Sequence, residues 1–138
     1  MLPQRINLIA YSTLAVIICY IDRVNISVAI IPMQEQFGWS DSQVGFIFSS
    51  FYLGYMLTMA LGGYLSDKFG GKRVLGWGVV LWSIFTILTP LAAHNGFFAL
   101  FFIRILMGIG EGVTFPAWHS LYARWIPFNE RTLSLIHI

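Results

Sequence analysis

Gly63-Tyr64-Leu65-Ser66-Asp67-Lys68-Phe69-Gly70-Gly71-Lys72-Arg73 is a short charged cluster set between two long apolar stretches. Gly70 and Gly71 give the backbone freedom for a tight turn, and Gly63 lets helices come close. Asp67 falls at an expected helix end, where it can bond neighbouring backbone and a cation. Lys72 and Arg73 are suited to anchoring such a turn at the lipid headgroups.

The rest of the chain explains why a headgroup anchor is needed. Of 138 residues, 57% are hydrophobic and only 10% charged, whereas a soluble domain carries about a quarter charged. Long stretches hold no charge at all, so the solvent of this chain is lipid. The net charge of +2 is too small to suggest nucleic acid. Cys19 is the one cysteine and lies in an apolar run, which leaves neither a disulfide framework nor a metal site. No cofactor is expected. Met1 to Arg5 followed by Ile6 to Tyr20 has the form of a basic start and an apolar run, but no small-x-small cleavage site follows, so it reads as a retained span.

A membrane-crossing helix needs ~20 largely apolar residues. Four stretches qualify: 6–31, 44–65, 74–93 and 96–122. The expected connections are 32–43, 66–73 and a short hinge at His94-Asn95. Arg5, Lys68, Lys72, Arg73, Arg124 and Arg131 then fall on one side of the membrane, and the opposite connections have no Lys or Arg. That asymmetry predicts a cytoplasmic N-terminus and a cytoplasmic 66–73 connection. The fold class is all-α membrane protein.

Two spans carry charges inside them: Tyr20-Ile21-Asp22-Arg23-Val24-Asn25 in the first, and Arg104-Ile105-Leu106-Met107-Gly108-Ile109-Gly110-Glu111-Gly112 in the fourth. A charge at mid-membrane costs at least ~2.5–3.5 kcal/mol, so such groups face a cavity, pair, or both. Arg104, Gly108 and Glu111 share one helix face at i, i+4, i+7, with ~10.5 Å of helix axis between the two charged ends. They are either a buried ion pair that fixes packing or parts of a transport path. Asp22 and Arg23, adjacent and roughly 100° apart, leave the same two readings open, with Arg23 able to lean into an Asp22 cavity from its flank. Gly108 and Gly112, with Gly110 between, invite close approach of another helix or a substrate. Tyr55 shares a face with Phe48, Tyr52 and Met59, where ordinary helix packing is as good a reading as a ligand role. Asn25-Ile26-Ser27 fits a glycosylation sequon but lies inside a span, and His94 and His119 read as solvated surface histidines.

The cluster at 63–73 fits G-x-L-x-D-[RK]-x-G-x-[KR]-[KR] and resembles the loop between helices two and three of the major facilitator superfamily. With the span-one and span-four motifs, and with Pro116-Ala117, Trp125-Ile126-Pro127 and Glu130-Arg131, the chain resembles the anion:cation symporter family over residues 6–132. Bacterial hexuronate and galactonate permeases, sialin, vesicular glutamate transporters and plastid phosphate transporters are of that type. The resemblance implies the start of a twelve-helix fold, with residues 1–132 forming part of its first six-helix half. It implies that Asp22 and Glu111 bind the coupled proton, that Arg23 with Tyr20 and Tyr55 binds the substrate anion, and that Arg104 modulates the span-four carboxylate. Gly63, Asp67, Lys68, Gly70, Lys72 and Arg73 would form the loop whose charge contacts hold one closed state. Gly71 stands where many members have Arg, Leu53 where many have Trp, and Met59 and Leu61 where many have Gln and Pro, which leaves the substrate open.

The expected function is proton-coupled symport of a small organic anion by alternating access, in a monomeric multi-pass protein of the cell (inner) membrane. Its partners would be the anion, protons or sodium, and the lipid bilayer. A sodium-coupled or facilitative inorganic phosphate carrier is the alternative, and a non-transporting membrane sensor the rival from another class. An enzyme is not expected, because no nucleophile or metal constellation is present. Leu133 to Ile138 break the resemblance after Thr132 and look like a translated library adapter, so a non-native tail is expected there.

Overall fold

The computed structural model describes residues 4–125. Five helices account for nearly all of them: α1 Gln4–Phe37, α2 Asp41–Phe69, α3 Gly71–Asn95, α4 Phe97–Gly112 and α5 Thr114–Trp125. Four segments are long and apolar enough to cross a membrane: Ile9–Phe37, Asp41–Phe69, Gly71–Asn95 and Phe97–Ala123. Each expected span has a counterpart: the second and third are longer at both ends, and the first and fourth run further at their C-terminal ends. The Glu130-Arg131 motif and the expected tail at 133–138 lie outside the described residues.

The extra length comes from segments whose polarity suggested connections. Pro32 lies inside α1, which continues to Phe37. A proline removes one backbone hydrogen bond but does not oblige a membrane helix to end. Ser40 then caps α2 with a reciprocal pair of bonds: its backbone N–H donates to Gln43 Oε1 at 2.9 Å, and the Gln43 N–H donates to Ser40 Oγ at 3.3 Å. The stretch 66–73 is not an extended loop either. α2 runs to Phe69, α3 starts at Gly71, and Gly70 alone joins them. Its φ of 86° lies in the region that only glycine enters without strain.

The fourth span, expected as one helix, is broken at Val113 into α4 and α5. Pro116 explains the break. It has no N–H to give the Gly112 carbonyl four residues back, and Gly110 and Gly112 weaken the preceding turn.

Glycine sets how closely α4 sits against its neighbours. A Cβ on Gly54 of α2 would collide with the Ile105 carbonyl oxygen, and one on Gly108 of α4 with the Phe51 carbonyl oxygen. One on Gly112 would lie 2.6 Å from Tyr55 O. On the other side, a Cβ on Gly78 of α3 would lie 2.8 Å from Gly110 O. α4 is thus clamped backbone to backbone between α2 and α3. The expected close approach at Gly63 is absent, since a Cβ there meets nothing among the described residues; its neighbour Gly62 takes that part, against Pro116 and Val113. Gly71 likewise serves contact rather than the turn, since a Cβ there would lie 2.6 Å from Ala117 O.

α1 makes few close backbone contacts with the other helices. It joins them through side chains: Ile30 in a cluster with Trp39, Ile47 and Leu100, Cys19 with Phe51 and Met107, and Val16 with Trp118 and Leu121. Into the space so left between α1 and α4 the charged residues project.

Candidate functional site

Arg23, midway along α1, reaches across that space to Glu111 in the last turn of α4. Its Nε donates to Glu111 Oε1 at 2.8 Å, and a terminal guanidinium nitrogen lies 2.7 Å from the same oxygen. The two ends differ in exposure. The Glu111 side chain is 2% accessible and that of Arg23 22%. Oε2 of Glu111 is buried and has no hydrogen-bond donor at bonding distance, although the Cys19 thiol lies beside the carboxylate. A buried carboxylate thus spends one oxygen on a cation that remains partly open to the space in front of it.

Aromatic rings surround the free side of that cation. The Arg23 guanidinium carbon is 4.9 Å from the Tyr55 ring centre, 5.4 Å from Phe51 and 5.5 Å from Tyr20. Guanidinium over an aromatic face is attractive, more so where water is scarce. The cage presents a cation, two tyrosines and a carboxylate on one small surface. Such a surface can take an anion: the cation supplies charge, the rings supply flat contact, and the carboxylate competes for the cation.

Asp22 belongs to a different cavity. It lines a small polar recess with Asn25, Thr86, Thr89, Arg104 and Met107. The Thr86 hydroxyl has three acceptors in reach there, the Trp82 carbonyl oxygen at 2.9 Å, Met107 Sδ at 3.9 Å and the Asp22 carboxylate. Arg104 is buried; it donates to Met107 Sδ at 3.3 Å, while its Nε has no partner. Glu111 and Asp22 are both its electrostatic neighbours, each beyond ion-pair distance.

This geometry bears on readings that the sequence left open. Among the described residues Arg104 and Glu111 form no ion pair, despite sharing a helix face; Glu111 takes Arg23 from α1. Two positions seven residues apart are two turns and ~10.5 Å apart along the axis, and a nearer cation comes from another helix. Arg23 also does not lean into the Asp22 recess. The two adjacent residues serve separate clusters, as their angular separation allows. The Tyr55 face is another: Tyr52 and Met59 are exposed, and Tyr55 stacks on Phe51 with ring centres 5.9 Å apart.

Tyr20, Arg23, Tyr55 and Glu111 are thus brought together, and Asp22 with Arg104 lies apart from them. Asp67, Lys68, Lys72 and Arg73 are exposed around Gly70. Among the described residues Asp67 makes no ion pair, and Lys68 lies over the Tyr64 and Phe69 rings at 5.8 and 5.5 Å. His94 is exposed and meets the Phe37 ring edge-on at 5.7 Å. Phe51, Thr86 and Met107 were not foreseen as site residues. Phe51 could have been found from its i−4 spacing to Tyr55; nothing in the spacing of Thr86 or Met107 singles them out.

The Major Facilitator Superfamily profile matches residues 12–135. Over 133 residues the chain is 51% identical to "Probable anion transporter 4, chloroplastic" of Oryza sativa subsp. japonica, covering 96% of this chain and 22% of that protein. It is 50% identical to "Ascorbate transporter, chloroplastic" and 48% to "Sodium-dependent phosphate transport protein 1, chloroplastic", both of Arabidopsis thaliana. Each of those two alignments also covers 96% of this chain, and 25% and 26% of the respective relative. The chain spans about a quarter of the length of these curated relatives.

Proposed function

The chain belongs to the Major Facilitator Superfamily, and from that premise we propose that it forms the entrance half-site of a secondary transporter for a small organic anion, coupled to protons. The observation that carries this reading is the Arg23–Glu111 pair at 2.7 Å, caged by Tyr20, Phe51 and Tyr55 and open on the arginine side. Arg23 is 22% accessible beside the rings, where a ligand can reach it, while Glu111 is buried.

The mechanism follows from competition for one guanidinium. With Glu111 ionised, Arg23 is neutralised internally and holds an incoming anion weakly. A proton on Glu111 removes its claim on Arg23, whose charge then serves the anion. With a monoanion, the site is neutral both empty and ionised and loaded and protonated, whereas either change alone leaves a net charge that is costlier to move through a low-dielectric interior. Asp22, beside Arg104, supplies a second carboxylate at which a proton can be held. Alternating access would exchange the site between the two sides, with the charged turn around Gly70 closing one of them.

The inside-positive distribution of Lys and Arg supports an N-terminus on the cytoplasmic side of a cell membrane. The relatives' names say chloroplastic, so a plastid envelope is the other membrane to test. The complete carrier is read as a monomer. A sodium-coupled phosphate carrier is the second reading, favoured by the relative whose name states that activity.

The test is uptake by the full-length carrier in sealed vesicles, with labelled ascorbate and inorganic phosphate as probes. Accumulation of ascorbate driven by an inward proton gradient, without sodium, supports the proposal, and proton-driven accumulation of phosphate alone overturns its substrate class. Accumulation that needs sodium and ignores pH replaces it with the second reading. Vesicles that take up neither probe by either gradient, nor exchange them, favour a sensor and overturn it.

A further inference from the structure

Phe51 touches both charge clusters. Its ring centre lies 5.4 Å from the Arg23 guanidinium carbon and 5.1 Å from that of Arg104. The side chain is fully buried at 2% accessibility. Its own backbone carbonyl is the group against which Gly108 of α4 closes, so the ring has little freedom to follow either cation.

Two guanidinium groups around one aromatic ring are mutually repelled. What holds them is the ring's negative face together with a carboxylate for each: Glu111 for Arg23, and Asp22 in the recess of Arg104. The balance is shared. When a carboxylate loses its charge, its cation leans more on the ring or on an arriving anion. The ring's interaction with the second cation then changes, in addition to the direct electrostatic reach of Glu111 to Asp22 and Arg104. The groups facing this assembly are Cys19, Tyr20, Asp22 and Arg23 from α1, Tyr55 from α2, Thr86 from α3, and Arg104, Met107 and Glu111 from α4.

We infer that Phe51 is a positioning residue that links the anion-binding pair Arg23–Glu111 to the Asp22–Arg104 recess. It does so by holding both guanidinium groups at one fixed ring. This rests on the proposed role of Arg23 as the anion's counter-charge. A packing residue would fill the same volume with any apolar side chain; a linking residue depends on the charge distribution of its ring.

The experiment replaces Phe51 in the full-length carrier with mono-, di- and trifluorinated phenylalanine. Fluorine withdraws density from the ring face at nearly constant volume. Apparent affinity for labelled ascorbate, and in parallel inorganic phosphate, is read by counterflow in vesicles without any gradient. The expected result is a stepwise loss with each fluorine, reaching about tenfold at three, with Phe51→Leu at the same level and Phe51→Tyr within about twofold of the parent. The linkage itself is read by adding Arg104→Met. That change should shift affinity several-fold with phenylalanine at position 51 and hardly at all with the trifluorinated ring. A flat fluorine series, or an Arg104→Met effect independent of the ring, overturns the inference. If uptake proves sodium-driven, only the coupling ion was misread, and the series still decides. If no counterflow occurs, the transport reading has failed, and the same non-additivity is sought in the melting temperature of the purified carrier. Additive melting shifts there overturn the inference too.

Discussion

Arg23 and Glu111 stand 88 residues apart in sequence and meet at 2.7 Å, the arginine open and the carboxylate buried. Their unequal exposure gives each residue a different expected phenotype. Glu111→Gln keeps the shape and mimics a permanently protonated acid. In the full-length carrier it should lose accumulation driven by a proton gradient and keep exchange at zero gradient. Arg23→Ala removes the anion's counter-charge and should abolish both. Gradient-driven uptake measured beside counterflow separates the cases, and concentration of substrate by the Glu111→Gln carrier would reduce Glu111 to a structural partner.

The recess cluster makes its own prediction about pairing. Arg104 has two carboxylates in electrostatic reach, Glu111 along its own helix face and Asp22 in its recess, so double-mutant cycles of Arg104→Met with Asp22→Asn and with Glu111→Gln should each show coupling in the ~0.5–3 kcal/mol range of interacting neighbours. Thermal unfolding of the detergent-purified full-length carrier measures both. Additive shifts in either cycle would contradict the arrangement described.

The glycine contacts predict a sharp contrast among similar changes. Gly54→Ala and Gly108→Ala drive a methyl into backbone oxygen of the facing helix, and overpacking of this kind costs ~1–3 kcal/mol or more. Gly63→Ala and Gly76→Ala meet open space and sit inside helices, where alanine is favoured by ~0.5–1 kcal/mol. The first two should lower the melting temperature of the carrier and the last two leave it unchanged or raise it. Equal behaviour of all four would contradict the packing described.

Topology is testable with single cysteines in a Cys19→Ser background. Ser66 is buried and cannot report, but Lys72 at the Gly70 turn and Ser42 near the Gly38 turn are exposed. An impermeant thiol reagent added to intact cells should label Ser42→Cys and spare Lys72→Cys. The reverse pattern inverts the orientation argued from Lys and Arg.

The sequence made the spans legible because crossing a lipid layer is a one-dimensional property of composition. It misplaced their ends because polarity was used to mark them, whereas the hydrogen bonds of α1 and α2 continue through Pro32 and through Ser66-Asp67-Lys68 regardless of it. The charged residues of the site were visible for the same one-dimensional reason: Asp22, Arg23, Arg104 and Glu111 are costly where they stand. Their partners were not. Spacing along α4 relates Arg104 to Glu111, but it says nothing of the rotation at which α1 faces α4, and that rotation decides that Arg23 takes the carboxylate. Val113 was hidden because its helix break depends on Pro116 acting on a carbonyl a full turn back.

The closure of α4 onto α2 by glycine against carbonyl oxygen has one more effect. Where two helices meet through side chains, rotamer changes let them slide or roll; where they meet through main chain, no such bearing exists. α2 and α4 therefore behave as a single rigid beam carrying Phe51, Tyr55, Arg104 and Glu111 at set distances, while α1, attached through long side chains, is the only described element with a soft mounting. Any displacement that alters the site must then be spent at Cys19, Tyr20, Asp22, Arg23 and Asn25, the residues that α1 brings to it.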